Sequence, residues 1–119
     1  MKKLFLFSLL LLSVCQTSMV FAHAVITHNS LKNVPIYANR VNKVKLNFNS
    51  KIEIGLSQVF LVSKGDQLTP LKIAEGGHYE GHMIMFIPAL IPGDYALKIK
   101  VFAADGHLTE DLIRFSVTP

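Results

Sequence analysis

The sequence predicts an all-β protein, a single β-sandwich with Greek-key connections. Three observations predict it. Apolar residues recur with period two, turn residues interrupt the chain at short intervals, and no segment after residue 22 carries a long helical stripe.

The first segment lies outside that fold. Residues 1–22 have the three parts of a cleavable signal peptide: Lys2 and Lys3, an apolar run from Leu4 to Val14 broken only by Ser8 and Ser13, and a polar patch leading to Val20-Phe21-Ala22. A run of about a dozen residues is short for a bilayer span. Cleavage after Ala22 is expected, with export to the periplasm. A rival cut after Ala24 would remove His23. The single cysteine, Cys15, falls in this segment behind Val14, where a lipoprotein signal would carry a small residue, so it reads as filler of the apolar run. Residues 23–119 then hold no cysteine and no disulfide, and packing alone must stabilise them. Their length suits one domain with one core.

The elements follow in order. Ala24 to Thr27 is a first β-like piece. Val44, Leu46 and Phe48 share one face against Lys43, Lys45 and Asn47 on the other. Ser57 to Val62 and Met83 to Ile87 are continuous apolar runs, readable as strands buried on both faces. Tyr95, Leu97, Ile99 and Val101 alternate with Lys98 and Lys100, and Ile113, Phe115 and Val117 repeat the pattern. Lys64-Gly65-Asp66, Gly76-Gly77, Gly81, Pro92-Gly93-Asp94 and Asp105-Gly106 are the turn signals between them.

Several function classes lack support. Losing Lys2 and Lys3 lowers the formal charge from +4 to +2, and the remaining lysines are scattered without aromatic interleaving, so no nucleic-acid footprint exists. Gly76-Gly77 lacks the Lys and Ser/Thr of a phosphate loop. No serine sits in a nucleophile elbow.

Three features carry chemistry. Cleavage after Ala22 would make His23 the terminal residue. Its free amine, with a reference pKa near ~8, and its imidazole Nδ1 could then close one chelate ring on a metal. Such nitrogens suit divalent copper in a tetragonal site. The plain alternative is a frayed end. Asp105-Gly106-His107 places a carboxylate and an imidazole around a turn glycine, able to complete a three-nitrogen, one-oxygen set with His23. The alternative is an ordinary turn capped by Asp105. His78, His82, Met83 and Met85 form the third feature, either a Cu(I) site or core and loop, since Met83 and Met85 share one strand face. His28 reads as a surface or packing residue.

Together these residues resemble the CopC family of periplasmic copper-binding proteins. The resemblance rests on the histidine after the cleavage site, Lys45-Leu46-Asn47-Phe48-Asn49-Ser50 followed by Lys51-Ile52-Glu53, Ile91-Pro92-Gly93-Asp94-Tyr95, and Ala104-Asp105-Gly106-His107. It covers nearly all of residues 23–119. The resemblance implies a cupredoxin-like or immunoglobulin-like sandwich of about seven strands. It also implies one Cu(II) per chain, held by His23, Asp105 and His107. Asn49-Ser50 departs from the family's Ser-Glu, Ala104 replaces a Ser, and the Met-rich Cu(I) segment is missing.

The expected function is therefore a monomeric copper carrier or chaperone in copper homeostasis or resistance. It is not expected to be an enzyme, because four donors leave little room for dioxygen. The resemblance implies that any CopD-like inner-membrane copper transporter serving as its partner is a separate protein. The competing readings are a copper oxidoreductase built on a histidine brace and a metal-free interaction module.

Overall fold

The structure, a computed structural model, describes residues 24–74 and 81–119. Period-two alternation places one face of each long strand in the core. In β3 (Asn42–Phe48) Val44, Leu46 and Phe48 point inward, and in β8 (Gly93–Phe102) Leu97, Ile99 and Val101 do so. β9 (Leu108–Thr118) buries Phe115 and Val117.

Among the described residues there are nine strands in two sheets rather than about seven. A four-stranded sheet has the order β1 (Ile26–Asn29), β3, β7 (His82–Ile87), β6 (Ile73–Ala74). A five-stranded sheet runs β2 (Ile36–Tyr37), β9, β8, β4 (Gln58–Ser63), β5 (Gln67–Leu71). The added strands are edge pieces. β2 and β6 are too short to show alternation, and β5 is largely exposed and contains Pro70, whose missing N–H is tolerated at a sheet edge.

The two continuous apolar runs form β4 and β7, but each is buried on one face only. Val59 and Leu61 face inward in β4. Met83, Met85 and Ile87 are completely buried in β7, while Phe86 is exposed. The first strand starts two residues later than expected, with its register shifted between Ile26 and His28. The β4–β5 turn uses Gly65 and Asp66, both in the left-handed region. Tyr95 stacks on Phe115 and donates its hydroxyl to the Ile91 carbonyl at 2.9 Å, pinning the entry to β8.

Registers fix which ends meet. Ile26 opposes Phe48, Asn47 opposes His82, and Phe102 opposes Leu108. The bridge Ile52–Ala103 then ties the chain leaving β3 to the end of β8. One pole of the sandwich therefore gathers the starts of β1, β7 and β9 and the ends of β3 and β8. No helix among the described residues is long and apolar enough to cross a membrane.

Candidate metal centre

The β8–β9 turn stands on a rigid base and presents a polar tip. Ala103 is buried, and its N–H donates to the His107 carbonyl at 2.9 Å. Ala104 N–H donates to the Lys51 carbonyl at 3.0 Å, and Glu53 N–H to the Phe102 carbonyl at 2.8 Å. Gly106, at φ +90°, closes the loop by donating to the Ala103 carbonyl at 2.9 Å. Glycine reaches that conformation without steric conflict.

Asp105 and His107 meet on this tip. Asp105 Oδ1 accepts the His107 backbone N–H at 3.0 Å, and Oδ2 lies 3.0 Å from His107 Nδ1. Both side chains remain open to solvent, 36% and 45% exposed, so an ion can reach them. The contact with the carboxylate orients the imidazole. Two donors at right angles on one ion, each ~2.0–2.1 Å away, would lie about 3 Å apart. The 3.0 Å spacing of Oδ2 and Nδ1 suits that arrangement. Among the described residues, no group of three or more His, Cys, Asp or Glu side chains forms a metal cluster.

The start of β1 arrives at the same pole. Ala24 is 3% exposed and part of the core. Val25 is clasped by Asn49: its N–H donates to Asn49 Oδ1 at 2.9 Å, and its carbonyl accepts the Asn49 N–H at 3.0 Å. Two residues on, Lys51 holds Ala104. The stretch Asn49–Lys51 thus carries the first strand on one side and the Asp105–His107 turn on the other. Sequence reasoning missed this duty of Asn49. Ser50 Oγ in the same stretch, and Thr109 Oγ1 in β9, are buried without a hydrogen-bond partner.

His23 and His78 lie outside the described residues. The Met83 and Met85 side chains are completely buried in the core, while His82, next to Met83 in the strand, faces the other way. Pleat alternation therefore separates the thioethers from that imidazole. His28 is exposed on β1.

The fold and this pole define a small β-sandwich that displays a carboxylate–imidazole pair on a rigid hairpin tip. The CopC domain family matches residues 26–118, and the chain belongs to that family. Among solved structures it is similar to CopC from Methylosinus trichosporium OB3b, with 22% identity, a TM-score of 0.68, and coverage of 82% of this chain and 95% of that one. It is also similar to PcoC, a methionine-rich copper resistance protein from Escherichia coli, with 20% identity, a TM-score of 0.57, and coverage of 82% and 100%. These likenesses bear on the fold. A comparison with curated proteins finds no match.

Proposed function

We propose that this protein is an exported copper carrier that holds one Cu(II) between the two sheets at this pole. Cleavage after Ala22 frees the His23 amine. The amine and the His23 Nδ1 supply two nitrogens, His107 a third, and Asp105 an oxygen. Cu(II) prefers this tetragonal N,O set.

One observation carries the reading: the Asp105–His107 pair and the start of β1 are both fastened to Asn49–Lys51. His23 is two residues before Val25, and an extended residue spans at most ~3.6 Å. β1 and β9 also start at this pole and run in the same direction. Ile26–Asn29 and Asp111–Arg114 line one shared groove.

The methionines argue for the divalent ion. The sequence has four. Met1 and Met19 belong to the expected signal segment, and Met83 and Met85 are sealed in the core. No thioether is left to offer Cu(I) a soft site.

A filled equatorial plane favours holding and handing on the ion over oxygen chemistry. A separate membrane transporter would be its partner. The test compares protein beginning at His23 with protein carrying one extra residue ahead of it. Copper affinity should fall by at least ~100-fold in the extended form, because the chelate ring loses its amine. Equal affinity in a competition titration would end the proposal.

A further inference from the structure

A second row of donors crosses the outer face of the four-stranded sheet. His28 in β1 and His82 in β7 both lie opposite Asn47 in the central β3. Residues directly opposite on neighbouring strands share a face. That face is the outer one, since the flanking Leu46, Phe48 and Met83 are buried in the core. The register shift between Ile26 and His28 is what brings His28 onto it.

Asn47 supplies the independent observation. Its Oδ1 is buried yet has no hydrogen-bond partner. A covered amide oxygen with no donor is unusual in a folded protein, and a missing ion or water is one standard reason. The residues on both sides of it are histidines. Neighbouring strands ~4.8 Å apart set the His28 and His82 backbones about 10 Å apart. Two imidazoles leaning over Asn47 would close that span.

We propose that His28, Asn47 and His82 form a second site for a borderline divalent transition ion, with two imidazole nitrogens and one amide oxygen as ligands and water in the open positions. Imidazole suits copper, zinc and nickel, and copper binds such sites most tightly of the divalent series. Three neutral donors with no carboxylate make it weaker than the Asp105–His107 centre. It would act as a landing site for the ion on the outside of the sandwich, at the pole that carries the proposed carrier site.

The proposal stands apart from that first site, and the experiment keeps the two separate. Protein beginning at His23 is titrated with Zn(II), which is diamagnetic, while the imidazole resonances are followed by NMR. The His28 and His82 signals should shift together in one saturable step. The double variant Asp105→Ala/His107→Ala should keep that step, whatever happens at the terminus. His28→Ala/His82→Ala should abolish it. Asn47→Asp replaces the amide oxygen with a carboxylate of the same shape and should tighten the step at least ~10-fold, a gain that loss of folding cannot mimic. Unmoved His28 and His82 signals at millimolar zinc, or equal affinity in folded Asn47→Asp, would overturn it.

Discussion

Gly81 carries a constraint that no other residue can meet. It stands at φ +79° where the chain enters β7, and an added Cβ would sit 2.5 Å from the Phe48 carbonyl oxygen. The same glycine carbonyl accepts the Phe48 N–H at 2.6 Å, so the two backbones cannot separate without losing that bond. Strain and clash act together in Gly81→Ala, which should lose at least ~2 kcal/mol of stability. Thermal unfolding should then begin roughly 10 °C lower, read by circular dichroism. An unchanged melting temperature would mean that the backbone relaxes freely there. In the sequence Gly81 reads only as punctuation, because the atom it must avoid belongs to Phe48, which is remote in the chain. Asp105 and His107 differ in this respect. Their partners are local, one turn apart, so the pair is visible in the triplet itself. The clasp of Asn49 on Val25 was not legible, since it links residues 24 apart.

Among the elements, the link between the two long strands of the five-stranded sheet and the turn they carry depends on Ser57. This residue is buried at the end of the 3-10 turn Ile54–Leu56. Its hydroxyl donates to the Glu53 carbonyl at 2.8 Å and accepts the Phe102 N–H at 3.1 Å. The end of β8, just before Ala103, is thereby held from the side. Ser57→Ala removes the acceptor of the part-buried Phe102 amide, while the Glu53 carbonyl keeps the Leu56 N–H at 3.1 Å, and should destabilise the protein by ~1–2 kcal/mol. Hydrogen exchange should show the Phe102 and Gly106 amides losing protection ahead of the core. Uniform loss across all strands would show instead that the residue acts only on global stability. Element by element, legibility follows length and one-sided burial. β3, β8 and β9 alternate over enough residues to announce themselves. β2 and β6 have two residues each and exist because neighbouring strands offer them bonds. β7 reads as buried on both faces because Ile84 and Phe86 are apolar, although Phe86 lies open on the outer surface.

At the scale of the whole molecule, the proposed copper site joins the layers. β1 belongs to the four-stranded sheet and the β8–β9 turn to the five-stranded one. No disulfide crosses between them in residues 23–119, which contain no cysteine. An ion bound by both ends therefore acts as a removable cross-link that exists only in the folded state. Binding to the native state alone stabilises it by ~2.7 kcal/mol when free ligand is 100 times its dissociation constant. For a domain of this size that corresponds to a rise in melting temperature of roughly 10 °C or more. The rise should appear with Cu(II) in protein beginning at His23 and vanish on chelation. It should be largely absent when one residue precedes His23, because the extended chain binds too weakly at the same copper concentration. The metal-free melting temperatures of the two forms should agree, since Ala24 and Val25 keep their places in both. If copper raised both forms equally, the ion would be stabilising the fold from some other position, and the link between the sheets would not run through the first residue.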